Sequence, residues 1–124
     1  MGYRSNIRCL IYPSNVREKG EVDTQFDMLK TIMNTTFKDV FDMWSDHFTV
    51  DDTNRLFDFA IEDVKWYDSF PDVIAFDNML PKIEELDFCY EFIRVGEQNG
   101  DVEYRQSNDH NCYLNTSTSI TCYF

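Results

Sequence analysis

Phe88-Cys89-Tyr90-Glu91-Phe92-Ile93-Arg94-Val95 is followed by Gly96-Glu97-Gln98-Asn99-Gly100 and then by Asp101-Val102-Glu103-Tyr104-Arg105. The first and third runs alternate with the period of two that a strand requires, and two glycines flank a polar turn between them. The stretch therefore reads as an antiparallel hairpin with a loop longer than two residues. Downstream, residues 113–124 are rich in Thr, Tyr and Ile and read as one more strand. Strands gathered at one end of a chain favour an α+β fold, with a mostly antiparallel sheet of about five strands and two main helices packed on one face. A doubly wound parallel sheet would instead alternate strand and helix throughout.

Moving upstream, residues 3–12 also alternate. Ser5, Ile7, Cys9 and Ile11 fall on one side, with Arg4, Asn6, Arg8 and Leu10 on the other. Pro13-Ser14-Asn15 ends that strand, and Gly20 closes a polar linker. From Val22 the rhythm changes: Val22, Phe26, Leu29, Met33, Phe37, Val40 and Trp44 recur at three and four. This predicts an amphipathic helix, or two helices jointed at the weak helix formers Asn34-Thr35-Thr36. A polar span covers residues 49–54. The aromatic run from Leu56 then predicts a strand reaching about Trp66. Trp66 continues the alternation after Val64, which assigns it to the core rather than to an exposed aromatic contact. Ser69, Pro71 and Asp72 mark a helix start whose inward residues are Val73, Phe76, Leu80 and Ile83. Pro81 predicts a kink or an early end to that helix.

The chain has 124 residues, the size of one domain spanning 1–124, and 16% aromatic content supplies side chains for a core. No apolar run reaches the ~20 residues of a membrane helix and no signal-peptide pattern opens the chain, so a cytosolic protein is expected. Cys9 and Cys89 sit in apolar strand runs, where a free thiol behaves as a small hydrophobe. Cys112 and Cys122 flank a Thr/Ser stretch without Cys-x-x-Cys spacing, so no zinc site is expected.

Enzymatic equipment is sparse. The histidines are His47 and His110, and the His110–Cys112 neighbourhood has the residue types of a thiol site but reads as a solvated loop. Four glycines, at 2, 20, 96 and 100, make neither a Walker loop nor a dinucleotide fingerprint. Asp46, His47, Asp51 and Asp52 lack the glycine and closing glutamate of a calcium loop. No catalytic residue, metal or cofactor is therefore expected.

Charge is the distinctive feature. Residues 39–91 hold 15 acidic and 3 basic side chains, so the whole net charge of −12 lies there. Such a field repels nucleic-acid phosphates and suits a protein partner with a basic, nucleic-acid-binding surface. The plainer alternative is an acidic surface that only keeps the protein soluble. For a charge-led interface the candidates are Asp39, Asp42, Asp46, Asp51, Asp52, Glu62, Asp63 and Asp68. The first three recur at three and four, which would set them on one helix face opposite Phe37, Val40 and Trp44.

Met1-Gly2-Tyr3-Arg4-Ser5, Lys65-Trp66-Tyr67-Asp68-Ser69-Phe70-Pro71-Asp72-Val73 and Phe92-Ile93-Arg94-Val95-Gly96-Glu97 together resemble a family of small uncharacterised proteins of tailed bacteriophages and prophages. The resemblance runs to about residue 105, leaves the tail unmatched and carries no activity. It implies a phage accessory product in the bacterial host cytoplasm; the acidic charge adds that no direct nucleic acid is expected, and the lack of a long apolar run that no membrane is. The expected role is stoichiometric inhibition of a host nuclease or anti-phage defence complex such as a CRISPR effector, as a nucleic-acid mimic. A structural or assembly module, homodimeric or virion-associated, is the alternative.

Overall fold

The computed structural model of this chain describes residues 3–13 and 19–107. Strand β1 (Ser5–Pro13) leads to helix α1 (Lys19–Met33) and the short helix α2 (Lys38–Met43). A 3-10 turn (Ser45–His47) then opens the hairpin β2 (Phe48–Asp51) and β3 (Leu56–Val64). Helix α3 (Pro71–Glu85) precedes a second hairpin, β4 (Phe88–Gly96) and β5 (Val102–Gln106). The strands form one sheet in the order β2-β3-β1-β4-β5, antiparallel at every junction. The fold is α+β, as the clustered strands predict.

Register explains why the helices share one face. Phe48, Phe59, Cys9, Phe92 and Arg105 are successive partners across all five strands. Residues two positions away, such as Ile7, Ile11, Phe57 and Tyr90, join the same face, because side chains in a strand alternate. Phe26, Leu29 and Met33 from α1 and Val73, Phe76, Leu80 and Ile83 from α3 complete that core. Trp44, Trp66, Phe59 and Phe76 pack ring against ring at its centre, with Phe59 and Phe76 centroids 4.7 Å apart. Each large side chain buried there contributes roughly 1.5–3 kcal/mol.

The joint between α1 and α2 falls at Asn34-Thr35-Thr36. Asn34 Nδ2 donates to the Lys30 carbonyl at 2.7 Å and Thr35 Oγ1 to the Thr31 carbonyl at 2.7 Å. Polar side chains bonding back to helix carbonyls offer the backbone a way out of the helix. Phe37 N–H then reaches Ile32 O, five residues back, and α1 stops.

Four details differ from the sequence reading. The supposed polar span, 49–54, overlaps β2 (Phe48–Asp51), whose four residues pair with 56–59 of β3. It was hidden because two of the four, Thr49 and Asp51, are polar. Pro81 does not end α3 early: the helix runs on to Glu85. It is exposed, while Met79, Leu80 and Ile83 around it are buried. Their burial outweighs the roughly 3 kcal/mol cost of an interior proline. The N-cap of α3 is Phe70 and not Ser69, without a side-chain bond. A turn from Phe70 N–H to Tyr67 O and the Tyr67–Phe70 ring contact set the chain's entry instead. Finally, α2 ends at Met43, so Asp46 belongs to the 3-10 turn. Residues 113–124, His110, Cys112 and Cys122 lie outside the described residues. Among the described residues no helix is long and apolar enough to cross a membrane.

Candidate functional site

The eight acidic candidates are carried by α2, the 3-10 turn and the β2–β3 hairpin with the loop that follows it. Asp39 and Asp42 lie on α2 and Asp46 on the turn, and all three are exposed. They do not continue one helical face. Trp44, 7% exposed, is drawn into the core beside Phe59, Trp66 and Phe76, and its Nε1 donates to Asp72 O at 3.4 Å. Anchoring Trp44 ends the helix one turn short of Asp46.

Register separates the remainder into two groups. Asp51 stands opposite Leu56 at the turn of the hairpin, and Asp52 follows it. Glu62 is six residues further along β3, about 20 Å away at the rise of a strand. The 3-10 turn enters β2 at Phe48, which faces Phe59, so Asp46 lies at the Glu62 end. Asp68 is in the loop just beyond Val64.

Asp63 sits where β3 carries an extra residue against β1: Ser5 pairs with Val64 and Ile7 with Ile61. Its backbone takes φ 54°, a left-handed conformation that Asp tolerates, and its N–H donates to Asn6 Oδ1 at 2.8 Å. The bulge turns Asp63 outward beside Arg4, whose Nη1 donates to Asp63 O at 2.9 Å.

Partners divide the candidates again. Asp42 pairs with Lys38, Asp52 with Lys30 at 2.6 Å, and Asp63 with Arg4 at 4.0 Å. Asp51 accepts from the backbone N–H of Asn54 at 3.0 Å and from its side-chain amide at 2.9 Å. Those bonds hold the Asp51 carboxyl below the usual aspartate range. Asp39, Asp46, Glu62 and Asp68 have no ion pair or hydrogen-bonded side chain among the described residues.

Most of the described cations, by contrast, are already paired. Arg8 pairs with Asp58 at 3.0 Å and Arg55 with Asp23. Arg94 bonds Asp101 at 2.9 Å and Glu103 at 3.2 Å. Arg105 bonds Asp77 at 2.8 Å with its guanidinium 4.3 Å over the Phe92 ring. Burial is the largest single influence on Arg105 and disfavours its charge, but the bond to Asp77 together with the nearby charges of Asp77 and Glu103 outweighs it and the guanidinium titrates higher than usual. The described surface therefore offers carboxylates to a partner and few free cations.

Among the described residues no group of three or more His, Cys, Asp or Glu is placed to hold a metal. The His47 ring lies against Trp44 and Phe59, and Cys9 and Cys89 are buried free thiols. Burial pushes the Cys9 thiol up, far from the thiolate that nucleophilic chemistry needs.

One polar group escapes the sequence reading. Glu91 is 0% exposed, and its carboxylate accepts from Tyr12 Oη at 2.7 Å and Tyr104 Oη at 3.2 Å. The signal was available in the alternation of β4, where Glu91 falls among Cys89, Ile93 and Val95 on the sheet's second face. No protein-family model, no curated protein and no solved structure matches the chain.

Proposed function

We propose that this protein acts by stoichiometric binding, without catalysis, setting its acidic side against a basic protein surface of the kind that receives nucleic-acid phosphates. The observation that carries this is uncompensated charge. Asp39, Asp46, Glu62 and Asp68 are exposed and unpaired among the described residues, while most of the described cations are already matched. Carboxylates that outnumber the free cations around them attract a cationic partner and speed encounter with it. Together with the phage resemblance of the sequence, the partner is a nuclease or defence complex in the host cytoplasm, held off its nucleic acid.

The test is affinity capture from bacterial lysate at low salt with stepped salt elution, run on the parent and on Asp39→Asn, Asp46→Asn, Glu62→Gln, Asp68→Asn combined. A nucleic-acid-binding protein that elutes from the parent at moderate salt and is lost from the variant supports the proposal. Equal capture by both chains refutes it. A second reading, self-assembly as a structural module, is favoured by the exposed Val50 and Val102 on the two edge strands. Edge-to-edge association of that kind responds little to salt and shows itself as a homodimer in sedimentation.

A further inference from the structure

Backbone hydrogen bonds alternate from strand to strand across an antiparallel sheet, and the alternation fixes which groups face outward at β2. Gly96 N–H donates to Asp101 O at 2.8 Å and Ser107 N–H to Tyr90 O at 3.0 Å. Tyr90, Phe92, Arg94 and Gly96 of β4 therefore turn their backbone groups toward β5, while Glu91, Ile93 and Val95 turn theirs toward β1. Those three stand opposite Leu10, Arg8 and Asn6, which leaves Ile7, Cys9 and Ile11 to bond Ile61, Phe59 and Phe57 of β3. Leu56 and Asp58 of β3 then bond Asp51 and Thr49 of β2. On β2 the backbone groups of Phe48 and Val50 are left pointing away from the sheet. Ser45 O takes the Phe48 N–H in the 3-10 turn. The Phe48 C=O and both the N–H and C=O of Val50 have no partner among the described residues.

An edge of this kind is a template for one more strand. Lysine, proline and bulges commonly blunt such edges, and β2 has none of them: Phe48–Asp51 runs in unbroken register with β3. Thr49 is exposed and Val50 is 41% exposed, so the edge is open to solvent. Besides its shortness, acid guards it. Asp46 lies just before β2 and Asp51 and Asp52 at its far end, and neither Asp46 nor Asp51 has an ion pair among the described residues. A second copy pairing here would bring those carboxylates of both chains to one seam, and like charges across paired strands are destabilising. An extended segment with lysine or arginine at its ends meets them with opposite charge, and Val50 gives it an apolar contact at the centre.

We infer that the outer edge of β2 is the docking site for the basic partner, which adds an extended segment with cationic ends as a strand beside Phe48–Asp51. This rests on the charge-led binding proposed above and supplies its geometry: the carboxylates select the segment, and the free backbone groups of Phe48 and Val50 hold it.

The probe is a capped synthetic peptide of alternating valine and threonine with lysines at both ends, added to the full chain and followed by NMR and amide hydrogen exchange. It should slow exchange of the Val50 amide about tenfold or more and leave the Thr49 amide, already bonded to β3, little changed. The same peptide with every central amide N-methylated keeps its charge but cannot pair, and should bind about tenfold or more weakly. On the protein side, Val50→Pro deletes an outward donor at a place where an edge strand tolerates proline and should lose the peptide, whereas Val50→Thr should keep it. Equal binding of the methylated and unmethylated peptides overturns the edge as the site and leaves the acidic surface as the attractor. A glutamate-ended peptide that binds as tightly as the lysine-ended one overturns both the cationic occupant and the charge-led reading. No protection of Val50 at millimolar peptide also overturns the inference. Protection that grows with protein concentration in the absence of peptide makes the occupant a second copy, and overturns it too.

Discussion

A methyl group on Gly96 has nowhere to go: it would collide with the Asp101 carboxylate and the Tyr3 hydroxyl, which are bonded to each other. The pair closes the β4–β5 loop onto the start of the chain, since Gln98 N–H also donates to Tyr3 Oη at 3.0 Å. Gly96→Ala should therefore lower stability by about 1 kcal/mol or more through overpacking, read from the urea midpoint. Gly100→Ala meets no neighbour and is strained only by its φ of +85°. The same latch gives a pH signature. Arg94, and after it Tyr3, hold the Asp101 carboxyl below the usual aspartate range. A group so lowered contributes stability in full above its unfolded value, near pH 4, and loses it as pH falls through its lower folded value. Asp101→Asn should thus be less stable than the parent at neutral pH and converge with it in acid, as the Asp101 carboxyl takes up its proton below the ordinary aspartate range. Denaturation at stepped pH checks this, and a constant gap down to the lowest pH contradicts it. On the other sheet face, Tyr12→Phe takes a donor from the buried Glu91 carboxylate and should cost about 1.5–3 kcal/mol, the range for hydrogen bonds to charged groups.

Helix α3 shows how an element survives a residue that opposes it. Pro81 removes the bond its N–H would give to the Asp77 carbonyl, and it is itself exposed, so nothing in the core depends on its ring. Pro81→Ala restores that bond and should raise stability by about 1–3 kcal/mol, visible as a higher Tm. A drop in Tm would show that the ring, or a bend it imposes, is needed for the Asp77–Arg105 contact one turn before it. Elements with a strong period were legible from sequence: β1 and β4 by alternation, and α1 and the body of α3 by three-and-four spacing. What escaped was short or decided by contacts distant in sequence. Strand β2 has four residues and is anchored by Phe48, whose ring meets Phe57 edge-on, tilts against Phe59 and stacks with Phe76. The end of α2 is set by Trp44 reaching Trp66, 22 residues away. Local propensity carries neither fact.

At the scale of the whole molecule, the excess charge was legible and its arrangement was not. Counting assigns −12 to residues 39–91, but pairing within the fold removes Asp42, Asp52 and Asp58 from the free set. The hairpin register parts Asp51 and Asp52 from Glu62. Of the eight candidates, Asp39, Asp46, Glu62 and Asp68 gain no partner among the described residues and repel the rest of the field. At low ionic strength that repulsion reaches about 30 Å, and at physiological salt about 8 Å. Raising salt from one condition to the other should therefore raise the urea midpoint, because exposed ion pairs such as Lys38–Asp42 stand to lose only about 0–1 kcal/mol each. Neutralising the four free carboxylates to amides should raise the low-salt midpoint and flatten its response to salt. If the midpoint instead falls with salt in the parent, the internal ion pairs outweigh the repulsion, and the four acids cost the fold nothing. If it rises, those side chains lower stability while making no ion pair or hydrogen bond among the described residues, which is the pattern of surface residues kept for an external partner rather than for the fold.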